Sequence, residues 1–175
     1  MRFTRIRIKN FKSIRDMELS EIDSALILVG KNNTGKTSVL DAVRLMAGGR
    51  EALGGDFDEN GQNIEIETEL KIEEEDLHLF HSQAIVSAYR RFEIWKRDFE
   101  KKLPSFQDGI LSFTCSVNRE GRKRFSDGFR KHNPYIAQVL PKLHYIDTDR
   151  ELNAFQSDLF LLGNSRLMNQ MRSGS

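Results

Sequence analysis

Five consecutive small or apolar positions, Ala25, Leu26, Ile27, Leu28 and Val29, break the otherwise polar opening of the chain. A short unbroken run of this kind is the pattern of a strand buried on both faces. From residue 39 the period changes. Val39, Leu40, Val43 and Met46 recur at helical spacing, and Gly48 and Gly49 supply the stop. Before the run, residues 1–11 alternate, with Ile6 and Ile8 on one face and Arg5, Arg7 and Lys9 on the other. Residues 11–19 continue as a second extended piece with Ile14, Met17 and Leu19 as its apolar contacts, and residues 21–24 turn into the apolar run. The opening therefore predicts an antiparallel hairpin or meander feeding a central strand.

Further along, Ile64, Ile66, Thr68, Leu70 and Ile72 alternate with Glu65, Glu67, Glu69 and Lys71, which predicts a strand with one solvated, acidic face. The acidic residues 73–76 then favour a helix start. Leu77, Phe80, Ala84, Ala88, Phe92, Trp95, Phe99 and Leu103 follow at steps of three and four and predict one long amphipathic helix ended by Pro104. Its outer face is basic, through Arg90, Arg91, Lys96, Arg97, Lys101 and Lys102. Residues 110–117 alternate again, residues 118–121 read as a hairpin turn, and residues 122–125 as the returning strand. A short helical piece over 134–140 and a short buried strand over 143–146 close this part.

Between the apolar run and the first helix stands Gly30-x-x-x-x-Gly35-Lys36-Thr37, the spacing of a phosphate-binding P-loop in the strand-to-helix context it requires. The first amides of a helix lack internal partners, and the helix dipole adds positive potential there, so an anion is attracted. Gly30 and Gly35 permit a close backbone approach to phosphate. Asn32, Asn33, Thr34 and Ser38 offer main-chain amides around it. Lys36 supplies a point charge for the outer phosphates, and the Thr37 hydroxyl a ligand for Mg2+. A glycine turn matching by chance would lack both flanks. Residues 58–61 spell D-x-x-G but follow no apolar strand, and no N-K-x-D occurs, so they are read as a turn inside a surface loop over 48–62.

Charge and cysteine content narrow the classes. The formal net charge of +1 gives no global attraction to polyanions, so a basic surface has to be local. One window qualifies: Arg119, Arg122, Lys123, Arg124, Arg130 and Lys131 against Glu120 and Asp127. It reads either as a phosphate-backbone contact or as a solvated hairpin whose charges discourage edge pairing. A single cysteine, Cys115, excludes an intrachain disulfide and a cysteine-rich zinc site. No apolar run approaches membrane-spanning length or resembles a signal peptide, so no membrane partner is expected and the expected location is the cytoplasm. Length and a mean hydropathy of -0.53 suit a polar globular domain with a proper core.

The segment Ile8-Lys9-Asn10-Phe11-Lys12-Ser13-Ile14, followed by Gly30-Lys31-Asn32-Asn33-Thr34-Gly35-Lys36-Thr37-Ser38-Val39-Leu40-Asp41-Ala42, resembles the start of the ABC-type ATPases of chromosome maintenance and DNA repair. These are the RecF, SMC and OLD-like families. Asn33 stands where many members carry glycine. The resemblance implies an α/β fold, the first lobe of an ABC-type P-loop NTPase head, with a mixed β-sheet. It implies ATP and Mg2+ as cofactors, and it brings Lys12 and Ser13 near the nucleotide; an ordinary exposed lysine at a strand end is an equal reading of Lys12. Implied partners are a second lobe of the same protein, a second head in a dimer, and DNA.

In that family a glutamine follows the strand that closes the lobe. Here Asp147 and Asp149 follow it and the next glutamine is Gln156, which is nearer the OLD-like, endonuclease-coupled members. Asp147 and Asp149 suit either Mg2+ ligation or the cap of a following helix. No apolar run ending in paired acidic residues follows the P-loop, and no L-S-G-G signature appears. The expectation is a nucleotide-binding lobe over 1–150 and the start of a truncated helical segment over 151–175. Such a piece binds nucleotide weakly and hydrolyses little alone. A non-hydrolysing nucleotide sensor or structural module is the alternative reading.

Overall fold

The opening alternation forms β1 (Arg2–Phe11), which turns directly into β2 (Ile14–Leu19). The P-loop helix is α1 (Lys36–Met46). A loop with a short 3-10 turn (Gly54–Asp56) leads to β3 (Ile64–Lys71). Then come α2 (Glu74–Ser82), α3 (Phe92–Lys102), β4 (Phe106–Gln107), β5 (Ile110–Val117), β6 (Lys123–Ser126) and α4 (Ile136–Val139). The computed structural model describes residues 1–23, 35–59 and 61–143. The predicted strand over 25–29, most of that over 143–146, and the segment over 151–175 lie outside the described residues, as does the proposed boundary at residue 150.

The sheet has the order β2-β1-β3-β5, and the far edge of β5 is shared by β4 at one end and β6 at the other. Every described pairing is antiparallel. Register follows from the two-residue period, because one face has to be dry. Ile8 stands opposite Met17 and Ile66, and Ile66 opposite Cys115, so apolar side chains share the inner face. Helices α1, α2 and α3 join that face in one core, with Val39, Leu45 and Met46 from the first, Leu77 and Phe80 from the second, and Trp95 and Phe99 from the third. Cys115 is fully buried there, and burial pushes its thiol pKa up to about 12. It is a core residue, not a nucleophile.

On the opposite face the two charged patterns meet. Arg5, Arg7 and Lys9 of β1 stand across from Glu69, Glu67 and Glu65 of β3. Asp16 and Glu18 of β2 flank them on the other side. Arg7 grips Asp16 with two hydrogen bonds of 2.8 and 2.6 Å, Arg5 grips Glu18 with two of 3.0 Å, and Lys9 reaches Glu67 at 2.5 Å. The acidic face predicted to be solvated is thus largely neutralised by a neighbouring strand.

The single long helix expected over residues 73–103 is corrected to two. Ala84 and Val86 adopt φ of 52° and 67°, in the left-handed region that no helix interior tolerates. The end of α2 closes instead with amides of Ala84 and Ile85 donating to the carbonyls of His81 and Phe80 at 3.0 and 2.9 Å. The apolar stripe is real at both ends but empty in the middle: Ala84 and Ala88 are exposed, while Val86 and Ser87 are buried. Tertiary bonds hold the break. Trp95 Nε1 donates to the Ile85 carbonyl at 3.1 Å, Lys102 Nζ to that of Val86 at 2.9 Å, and the Ser87 hydroxyl to Asp98 at 2.5 Å.

Candidate nucleotide-binding site

Helix α1 begins at Lys36, immediately after Gly35, whose φ of 86° is left-handed. A Cβ at Gly35 would meet nothing within 4 Å, so the backbone angle rather than lack of space calls for glycine. The start carries no side-chain cap and no acidic residue in its first turn. The first internal bond runs from the Val39 amide to the Gly35 carbonyl at 3.1 Å. The amides of Lys36, Thr37 and Ser38 therefore precede the helical ladder. Thr37 is exposed, and Gly35, Lys36 and Ser38 are half-buried. An uncapped, acid-free helix start with a lysine and a hydroxyl in its first turn is a donor set suited to phosphate and a hard cation.

Of the other residues singled out from sequence, Gly30, Asn32, Asn33 and Thr34 lie outside the described residues, as do Asp147 and Asp149. Ser13 is exposed in the β1–β2 turn. Lys12 is no plain surface lysine. Its φ is 52°, its amide donates to the Asp56 carbonyl at 2.8 Å, and its ammonium lies 2.6 Å from Asp41 of α1 and 3.8 Å from Asp56. Asp41 is about 8 Å along the helix from Lys36, at 1.5 Å per residue. Lys12 thus grips the flank of α1 in this structure.

That contact belongs to a cluster which sequence reasoning missed. Arg50 donates to Asp56 at 2.5 Å and lies 3.4 Å from Asp41, and Arg44 lies 3.5 Å from the same carboxylate. Asp56 is only 2% exposed and also accepts the Leu53 amide at 2.9 Å. A carboxylate as deeply placed as Asp56 has to be paired, since left alone it would carry its full desolvation penalty. No periodicity marks Asp56, which sits in a glycine-rich loop. Asp41 carried a faint signal as the polar partner of Arg44 one helical turn on.

The far end of α1 is closed by the β5–β6 hairpin. Lys123 Nζ donates to the Leu45 carbonyl and lies 3.5 Å from that of Met46, complementing the negative end of the helix. Burial lowers its pKa. Several cations of the basic window are likewise turned to main chain, Arg119 to the Asp58 carbonyl at 3.3 Å and Arg130 to that of Lys101 at 3.1 Å. The hairpin turn forms as expected, with Gly121 donating to the Asn118 carbonyl at 2.9 Å. Of the expected turn at residues 58–61, residue 60 lies outside the described residues, and the Gly61 amide donates to the Asp58 carbonyl at 3.2 Å.

A family model described as "AAA ATPase domain" matches residues 1–155. The chain belongs to the AAA ATPase domain family. Two curated relatives are uncharacterized proteins of Methanocaldococcus jannaschii. MJECL10 is 41% identical over 48 residues, covering 27% of this chain and 22% of that protein. MJECL44 is 29% identical over 133 residues, covering 75% of this chain and 36% of that protein. The domain thus spans well under half the length of either relative. A solved structure concerned with ATP-driven dimerization and DNA-stimulated activation of SMC ATPases is similar with a TM-score of 0.47 and 14% identity, covering 72% of this chain and 69% of that one. Among the described residues of this AAA ATPase domain, no helix is long and apolar enough to cross a membrane.

Proposed function

We propose that this AAA ATPase domain binds ATP at residues 30–37, with Lys36 on the outer phosphates and Thr37 on Mg2+. The supporting observation is the start of α1, where a left-handed Gly35 delivers an uncapped, acid-free helix terminus. The residues of the full site are Gly30, Asn32, Asn33, Thr34, Gly35, Lys36, Thr37 and Ser38. Lys12 and Ser13 approach the nucleotide from the β1–β2 turn, which in the case of Lys12 requires release from Asp41. A Mg2+ held by Thr37 would draw charge from the phosphate oxygens; Asp147 and Asp149 are its further candidate ligands. The chain's own groups bind and orient the triphosphate.

In the whole protein, residues 1–150 form the first lobe of an ABC-type head, completed by a second lobe. ATP joins two such heads and their separation follows hydrolysis, coupling nucleotide state to DNA, as in the RecF, SMC and OLD-like proteins that the opening motif resembles. An endonuclease function of the OLD kind belongs to this reading. Calorimetry with ATP and Mg2+ tests its base. Lys36→Ala is expected to weaken binding by roughly ten- to a hundredfold, the worth of one or more charge-assisted hydrogen bonds. Equal affinity of variant and parent would remove the proposal.

A further inference from the structure

At the opposite end of α1 from the P-loop, the loop over residues 48–52 and the β5–β6 turn enclose a cleft of about 610 Å3. Three cations line it, Arg50, Arg119 and Lys123, together with Glu51 and Glu120. We propose that this cleft is a phosphoanion site distinct from the P-loop. The helix between them is 11 residues long, which separates the two by about 15 Å.

Each cation is held in place before any ligand arrives. Arg50 is fixed on Asp56 and on the Glu51 carbonyl, the latter at 3.2 Å. The Arg119 guanidinium lies flat against Gly61, so close that a Cβ there would meet it at 2.7 Å, and one of its nitrogens is fixed on the Asp58 carbonyl. Lys123 is fixed on the carbonyls that end α1. A preorganised donor set loses little freedom on binding.

Arg50 is already paired with Asp56 and Asp41, so the attraction for an anion rests on the other two cations. Arg119 and Lys123 have no carboxylate within ion-pair distance among the described residues. Glu120, which lines the cleft, accepts from the Asn118 side-chain amide at 2.5 Å. The negative end of α1, which would repel an anion, is covered by the Lys123 ammonium itself. Planar guanidinium forks and one ammonium are the groups that match phosphate oxygens. The phosphate could arrive on a free diphosphate-type ion or on a nucleic-acid backbone, and the two sources are separable.

The test titrates the 175-residue chain with pyrophosphate in a Lys36→Ala background, which removes the P-loop contribution. Arg119 is exposed, so Arg119→Gln leaves the core intact. It is expected to weaken pyrophosphate binding about tenfold, while Arg97→Gln, an equal loss of charge on α3, changes it less than about twofold. The same pair of variants is then titrated with a short DNA duplex. Loss of duplex but not pyrophosphate affinity in Arg119→Gln alone would assign the site to backbone phosphate. Equal responses of the two variants to both probes would overturn the proposal. Because ATP affinity of Lys36→Ala is read separately, failure here is distinguishable from failure of the P-loop reading.

Discussion

The two ends of α1 obey opposite rules. Its first turn has neither a capping side chain nor an acidic residue. Its flank and last turn are tied down, at Asp41 by Lys12 and Arg50 and at Leu45 by Lys123. A helix end that exists for stability satisfies its own backbone groups; one that exists for a ligand leaves them for the ligand. Substitutions on the tied side should therefore cost stability, and substitutions at the open end should cost binding.

The largest effect should come from the buried hub of the tied side. Asp56→Ala leaves Arg50 only the longer Asp41 contact and removes the acceptor of the Leu53 amide, and the loss of a buried ion-pair partner costs about 3–5 kcal/mol. Urea denaturation would read this as a lowered midpoint. An unchanged midpoint would mean that Asp56 does not anchor α1. Next stands Lys36→Ala, expected to cost about 1.5–3 kcal/mol of ATP affinity with a smaller effect on folding than Asp56→Ala. If stability fell and affinity did not, the open end would be structural and the contrast would fail.

Lys123→Met should be milder, about 1–2 kcal/mol of stability. It removes the donor to the Leu45 carbonyl but retains the buried aliphatic stem. Thermal denaturation checks it, and a stabilised variant would show that the buried ammonium is a burden.

The smallest effect serves as a control remote from α1. The guanidiniums of Arg7 and Arg5 hold Asp16 and Glu18 below their ordinary values of 3.8 and 4.5. Stability from a depressed carboxylate is fully present above the unfolded value and is lost as pH falls through the lower folded one. Acidification below about pH 4 should thus loosen β2, an edge strand, before α1. Hydrogen exchange by residue would show it, and added salt should shrink the effect, since these pairs are exposed. Simultaneous loss of protection in β2 and α1 would contradict this order.

Much of the fold was legible as local period. The alternation of Ile6 with Ile8, of Ile64 with Ile66, and of Leu111, Phe113, Cys115 and Val117 appears in the structure as buried strand faces. The Gly35-Lys36-Thr37 junction opens a helix as its motif requires. The spacing predicts one helix over residues 73–103 because Ala84 and Ala88 keep the interval of a buried stripe, but they contribute little apolar surface and the chain breaks there. Lys12 was legible as a residue of interest, but its hold on Asp41 was not, for the two stand 29 positions apart.

Sequence alone determined where most of the strands and the first helix begin, which faces of them are apolar, and that one helix start carries the motif of a phosphate-binding loop. All of these depend on neighbours within a few residues. Only the tertiary structure decided that the basic face of β1 and the acidic face of β3 neutralise each other. It likewise decided that a buried aspartate in a glycine-rich loop anchors the P-loop helix, and that a lysine of the distal hairpin closes that helix. Those contacts join segments remote in the chain, and a charge has no preferred partner until burial of the apolar faces has set the register.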